Sequence, residues 1–256
     1  MCTLSIIVPA AGEFVLAFNR DETPHRAEGE VAEHGAQRRF LAPTDCSTGG
    51  TWIAVNDAGI ACALLNRNEP ALDALRESGG TRAQIVPGLA ECATLAACAA
   101  RLESVASSIT RGFRLVATDG AGVLEGLGGA GRVHITITAL ERTFVRASSG
   151  LGDHLVQPPR YELFAWTVAL ASTDALANAQ RDFHLHRWAD RTHLSVLMDR
   201  DAARTVSQTI IHVDPTRVTL SHARRAGVDI EGEGEGESKG KGKGFHPAHT
   251  RELVRA

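Results

Sequence analysis

The sequence predicts an α+β layered fold. Two observations carry that expectation. Apolar runs of strand character sit at both ends of the chain, and runs of helical spacing are grouped between them rather than alternating one for one with strands. No internal repeat is present that would mark a solenoid or propeller. The 256 residues suffice for one domain with a substantial core. We expect a single domain over residues 1–226 and a disordered tail over 227–256.

The elements follow in order. "TLSIIV" and "FVLAFN" flank "PAAGE", where Pro9 and Gly12 mark a hairpin turn. In the second run Phe14, Leu16, Phe18 and Arg20 share one face, and Val15, Ala17, Asn19 and Asp21 the other. Residues 23–48 are polar and irregular and read as a long loop. "GGTWIAVNDAGIACALLN" holds two strands around Asn56-Asp57-Ala58-Gly59, a turn whose Asn and Gly tolerate positive φ. "DALRESG" reads as a short helix or loop. "TRAQIVPGLAE" and "TLAACAARLESV" read as helices capped by Thr81 and Thr94. "FRLVATD", "GVLEGL", "RVHITITAL" and "TFVRAS" return to strand, separated by Gly-rich turns. "PPRYELFAWTVALAS" reads as a helix beginning after Pro159. "HLSVLM", "TVSQTIIHV" and "RVTLSHA" read as strands. "EGEGEGESKGKGKG" has no apolar residue with which to bury a face, so the tail is expected to stay solvated.

Composition narrows the function. The apolar fraction of 43% and charged fraction of 22% suit a soluble globular protein, and a net charge of −3 argues against nucleic acid or an anionic membrane as partner. No apolar stretch approaches the ~20 residues of a bilayer span, and no basic region precedes the first apolar run. The cysteines are Cys2, Cys46, Cys62, Cys92 and Cys98, an odd number with no C-x-x-C pair, so reduced thiols in a cytoplasmic protein are expected. "GLGGAG" lacks the Lys-Ser/Thr of a phosphate loop. Gly152-Asp153-His154 reads as a solvated turn, and "DFHLHRWADR", with His184 and His186, as an amphipathic loop or edge rather than a metal site. We expect neither metal nor cofactor.

The chemistry gathers at the N-terminus. Removal of Met1 is expected because the second side chain is small, and it would place a thiol and an α-amine on one residue, Cys2. A free thiol has a pKa of about 8.5 and an α-amine about 7.7–8.0, so the amine can take the thiol proton. Antiparallel pairing of the first two strands sets residues 18–21 beside residues 2–4. Arg20 would then favour the thiolate, and Asp21 would hold the amine.

With "MCTL…NRDE" and "GGTWIAV…G…ALLNR", the chain resembles the NRDE family, also called the transport-and-Golgi-organisation family. "SSGLGDHLVQPPRYELF" and "RTHLSVLM" resemble its bacterial members. The resemblance spans roughly residues 1–222. It implies an N-terminal-nucleophile hydrolase fold, an αββα sandwich of two antiparallel sheets between helical layers. The chain is also similar to choloylglycine hydrolases and penicillin V acylases in Met-Cys-Thr, Asn19-Arg20-Asp21, Asn56-x-x-Gly59 and Leu65-Asn66. That likeness implies Cys2, Arg20, Asp21 and Asn66 as catalytic residues, with Asp21 on the α-amine and the Asn66 side-chain amide on an oxyanion. Asn19, Trp52 and Arg67, in the same motifs, are assigned to substrate binding. Phe18 stands where those acylases carry arginine, and Ser148 and Ser149 stand in the stretch that holds a further asparagine in them.

Three readings are open. The chain is a hydrolase of an amide or thioester bond in a small acylated substrate. Alternatively it binds and traffics acyl-coenzyme A, lipid or haem, as the family resemblance allows, or its Cys2 is a redox or structural thiol.

Overall fold

The computed structural model describes residues 2–68, 82–109, 111–226 and 244–256. Strand β1 (Cys2–Ala10) turns back through Gly12, at φ +77°, into β2 (Glu13–Glu22). These two strands sit inside a six-stranded antiparallel sheet with β10 (Thr143–Ser148), β11 (Arg204–Val213), β12 (Arg217–Arg224) and β13 (His249–Val254), in the order β10-β1-β2-β11-β12-β13. A seven-stranded antiparallel sheet runs β3-β4-β5-β6-β7-β8-β9. Its strands are β3 (Ala32–His34), β4 (Phe40–Ala42), β5 (Ile53–Asn56), β6 (Ala61–Asn66), β7 (Phe113–Thr118), β8 (Gly122–Gly129) and β9 (Arg132–Ala139).

Helices α1 (Ile85–Ala90) and α2 (Leu95–Ala106) cover the outer face of the seven-stranded sheet, and α3 (Asp153–Phe164) and α4 (Leu176–Leu185) that of the six-stranded sheet. The result is the expected αββα sandwich. Three cores follow from strand alternation. Leu4, Ile6, Leu16 and Phe18 meet Val55, Ala63 and Leu65 between the sheets. Cys62, Leu115 and Ala117 pack under α1 and α2. Ile7 packs under α3 and α4 with Phe164, Val168 and Phe183.

Local chemistry explains the elements that match expectation. The Thr94 hydroxyl accepts the Ala97 N–H at 3.1 Å and caps α2. Pro87 lies in the first turn of α1, where its missing N–H has no helical partner to lose. The Asn56 side chain accepts the N–H groups of Ala58 and Ile60 and donates to the carbonyls of Ala90 and Cys92, tying the β5–β6 hairpin to the end of α1.

Other expectations are corrected. The loop over 23–48 contains β3 and β4, three residues each and too short to show a period; the Glu91 carboxylate, accepting three N–H groups from residues 36–38, helps to hold them. Helix α3 begins at Asp153, six residues before Pro159. The missing N–H groups of Pro158 and Pro159 release the carbonyls of His154 and Leu155, which lie on the exposed side where water can serve them. The helix then widens into a π turn over Ala165–Ala169. "DFHLHR" holds the end of α4, and its His184 is fully buried. "HLSVLM" is not a strand but a 3₁₀ turn, Thr192–Leu194, followed by irregular chain. The carbonyls of Leu194, Ser195 and Val196 are taken by the side chains of Arg160 and Asn19 instead of a sheet partner, and that of Met198 is shared by Arg225 and the Thr205 N–H.

The expected tail is corrected at its end. His249–Val254 pairs with β12, and Leu253 enters the core between the sheets. This alternation is only six residues long and follows a Gly-and-charge run that dominates the composition. "DALRESG", Thr81 and "EGEGEGESKGKGKG" lie outside the described residues. Docking of β13 makes a direct prediction. Leu253→Ala should destabilise the protein by about 2–5 kcal/mol in urea titrations. Val254→Ala, at an exposed position, should stay within about 0.5 kcal/mol. Equal, small effects would show that the strand is not held.

Candidate functional site

Cys2 is the first residue of β1 and lies between two strands. Its register partner is Arg20 on β2 and Ser148 on β10. Directly paired residues share a face, so Cys2, Arg20 and Ser148 all look into the space between the sheets. Asn19 and Asp21 look the other way, toward α3 and α4. The four residues of Asn19-Arg20-Asp21-Glu22 therefore work on two faces.

On the inner face, the Arg20 guanidinium is clamped. Its Nη1 donates to Glu28 Oε1 at 2.5 Å, and its centre lies 4.2 Å over the Trp52 ring. Nη2 stands 3.9 Å from both Glu22 and Asp45, which Arg26 also bridges at 3.1 and 2.5 Å. Glu28 receives further contacts from Ser207 and from His222, whose other ring nitrogen meets Thr209. Burial works to raise the Glu28 pKa, but His222, Arg20 and Ser207 outweigh it, and the carboxyl is held below the ordinary value. Trp52 belongs to the same apolar cluster as Cys2. Its buried Nε1–H has no hydrogen-bond partner among the described residues.

On the outer face, Asp21 Oδ1 accepts the Thr205 hydroxyl at 2.6 Å, and Arg160 Nη1 stands 3.9 Å from Oδ2. Arg160 is fully buried. It donates to the Thr3 hydroxyl and to the carbonyls of Leu194 and Ser195 at 2.6–3.0 Å. Burial pushes the Asp21 carboxyl up, opposed by Arg160, the chain's α-ammonium and the Thr205 bond. The positive charge of the chain's α-ammonium therefore acts on the Asp21 carboxyl.

The expected depression of the Cys2 thiol is corrected. Burial pushes its pKa up, and the α-ammonium, the Asp21 backbone N–H and lastly Arg20 oppose that rise without reversing it. Arg20 is a weak influence because its charge is shared with acidic partners. Asn19 is also corrected: it is fully buried and its side chain is saturated. Its amide donates to the carbonyls of His184 and Val196, and its oxygen accepts from Gln208 and faces His184 Nδ1. His184 Nε2 meets the Ser5 hydroxyl at 2.8 Å. Burial first, and the Arg160 cation second, push the His184 pKa down to about 3, so the ring is neutral at physiological pH. The network then assigns the proton to Nδ1, with Nε2 accepting from Ser5. Asn19 anchors α4 to the sheet and cannot touch substrate.

Asn66 ends β6 opposite Phe113. It shares its strand face with Cys62 and Leu64, which pack toward α1 and α2, whereas Leu65 faces the inter-sheet space. The side-chain role expected for Asn66 is therefore corrected by the pleat. Its backbone N–H lies on the same side of β6 as that of Leu64, which reaches the Trp52 carbonyl, and points past the start of β5. Arg67 follows, half-buried, with its N–H 3.4 Å from the Gly112 carbonyl.

Sequence reasoning missed Arg160, Glu28 and Thr205, and met Ser148 only as a departure from the asparagine of the acylases. Arg160 did leave a trace: Val156, Arg160 and Phe164 recur every four residues, which places an arginine on the buried stripe of a helix. Glu28 lies between strands and left none. A cavity of about 280 Å³ lies elsewhere, lined by Val15, Gln180, His184 and Gln208 on the helix-facing side of β2; Cys2 does not line it.

Comparison with known proteins agrees with this architecture. No curated protein sequence matches the chain. Among solved structures, penicillin V acylase from Agrobacterium tumefaciens is similar with a TM-score of 0.51 and 13% identity, over 86% of this chain and 82% of that one. An N-acylethanolamine-hydrolyzing acid amidase orthologue from Caenorhabditis elegans is similar with a TM-score of 0.55 and 10% identity, over 82% and 92%. At such identities the likeness shows the fold alone, that of the N-terminal-nucleophile hydrolases. The family model described as Transport and Golgi organisation 2 matches residues 1–143, more than half of the sequence, and the chain belongs to that family.

Proposed function

We propose that the chain is an N-terminal-cysteine hydrolase acting on an amide or thioester bond of a small acylated substrate. The observation that carries this reading is the position of Cys2. It opens a strand inside the sheet, with Arg20 beside it, the Asp21 backbone N–H at its sulfur and the Asp21 carboxylate within reach of the chain's α-ammonium. Removal of Met1 moves the α-amine onto Cys2 itself. The amine takes the thiol proton as sulfur attacks the substrate carbonyl carbon. The C–N or C–S bond then breaks, and the proton passes to the leaving amine or thiolate. Water attacks the resulting thioester, gives its proton to the same amine, and releases the carboxylic acid and the Cys2 thiol. Asp21, fixed by Thr205 and Arg160, orients the amine. Arg20 positions Trp52 as a wall of the inter-sheet space, and Arg67 stands at its edge. The free thiols suit a reducing compartment such as the cytoplasm.

A second reading has one observation in its favour. Cys2 is only 7% exposed and burial raises its thiol pKa, which suits a wall of a ligand site better than a nucleophile. On that reading the chain binds acyl-coenzyme A, lipid or haem without turnover.

Intact mass and alkylation test the nucleophile first. The mature chain should lack Met1 and carry an unmodified α-amine; retained Met1 would end the mechanism. In a chain that keeps Met1, iodoacetamide labelling of Cys2 should rise with pH through an inflection above the ~8.5 of a free thiol. The sign follows from burial, which disfavours the thiolate. An inflection below that value would mean that Arg20 outweighs burial.

Turnover of a panel of acyl amides and acyl thioesters then separates the two readings. Cys2→Ser should keep ligand affinity and lose most turnover. Asp21→Asn should lower kcat by about 10²–10⁴-fold, the range for a misplaced proton-transfer group. Tight binding of acyl-coenzyme A or haem by the wild type, with no acyl-Cys2 adduct on rapid quench, would establish the second reading instead.

A further inference from the structure

We infer that the Ser148 hydroxyl is a catalytic residue, the hydrogen-bond donor that receives the substrate carbonyl oxygen as Cys2 attacks; this rests on the hydrolase reading above. Register carries the first part of the argument. Cys2 and Ser148 are direct partners of the β1–β10 ladder and share the inner face. Side chains paired in this way have Cβ atoms about 4.5–5.5 Å apart. A carbonyl carbon held at Cys2 Sγ therefore has its oxygen within reach of Ser148 Oγ. The chain's own structure enforces this proximity at the start of β1 without any loop.

Hydrogen bonding carries the second part. Ser148 is 0% exposed, and its Oγ has no hydrogen-bond partner among the described residues. The other buried hydroxyls nearby are all engaged. Thr3 accepts from Arg160, Ser5 meets His184 and Gln180, Thr205 donates to Asp21, Ser207 donates to Glu28, and Thr209 meets His222. Buried polar groups are almost always paired, so a lone unpaired hydroxyl beside the nucleophile marks a place left for a ligand atom. Its ladder partner Cys2 belongs to the apolar inter-sheet cluster with Leu4, Leu65 and Trp52, and a donor is worth most where such side chains exclude water.

The step is balanced. Sulfur bonds to the carbonyl carbon, the π pair moves to oxygen, and Ser148 donates a hydrogen bond to that oxygen without giving up its proton. When the tetrahedral centre collapses, the pair returns and the leaving group departs. Ser148 is unchanged at the end of the cycle. Asn66, whose side chain shares the face that packs under α1 and α2, leaves this role to Ser148.

The test uses the full mature protein and N-octanoyl-p-nitroaniline, an acyl amide, following the release of p-nitroaniline and the mass of the acyl-Cys2 adduct. Ser148→Ala should slow acylation by roughly 10²–10³-fold with little change in KM, as expected for a transition-state donor. Ser148→Thr, which keeps the hydroxyl, should retain most of the rate. Alkylation of Cys2 by iodoacetamide forms no oxyanion and should proceed at the wild-type rate in Ser148→Ala. The melting temperature should not fall, because the hydroxyl has no partner to lose. Acylation at the wild-type rate in Ser148→Ala would overturn the inference. A parallel loss of alkylation or of thermal stability would also overturn it, by showing a structural role. If the wild type itself releases no p-nitroaniline and forms no adduct, the hydrolase reading falls, and Ser148 as donor falls with it.

Discussion

The antiparallel register of β1 against β2 and β10 is the constraint on which the rest of this structure depends. A slip of one residue would turn Cys2 toward the helices and Asp21 toward the inter-sheet space, because the side-chain period of a strand is two. Two sets of contacts hold the register. Leu4, Ile6, Leu16 and Phe18 need the apolar space between the sheets. Thr3, Ser5, Asn19 and Asp21 need the polar partners that α3, α4 and β11 supply. Either slip would bury leucine against arginine on one face and unpaired polar atoms among hydrocarbon on the other.

The outer polar layer has a second consequence. Arg160 and Asn19 hold the carbonyls of Leu194, Ser195 and Val196, so a stretch with strand-like composition is held as irregular chain. The same groups keep the layer electrically consistent. Arg160 sits near Asp21, while His184 stays neutral and serves only as a hydrogen-bonding link between Ser5 and Asn19. A protonated His184 would leave Nε2 without an acceptor role at Ser5 and would add a cation close to Arg160. Networks of this kind specify one packing of helix on sheet when every member is satisfied.

The inner face follows a different logic. Arg20 is opposite Cys2 in the ladder, yet its charge is directed sideways into Glu28 and onto the Trp52 ring. Proximity along a strand did not become electrostatic control of the thiol, because a buried cation is neutralised by the nearest carboxylates before it can act on a more distant group. The site thus couples a shielded cation, a buried thiol and an unpaired hydroxyl in one apolar space.

The sequence by itself determined the elements whose signal is local. Strand composition marked β1, β2 and β5 to β12, and Thr94 marked the start of α2. The spacing of "MC" and "NRDE" across one hairpin set Cys2 beside Arg20. Tertiary structure alone decided the rest. Strand pairing over more than a hundred residues brought Ser148 to Cys2, and helix docking brought Arg160 to Thr3 across 157 positions. The pleat, and the layers packed on each face, turned the Asn66 side chain away and saturated Asn19. The physical reason is one of range. Period and capping are set by neighbours in the chain, whereas burial, charge sharing and hydrogen-bond satisfaction depend on groups that only the folded layers bring together.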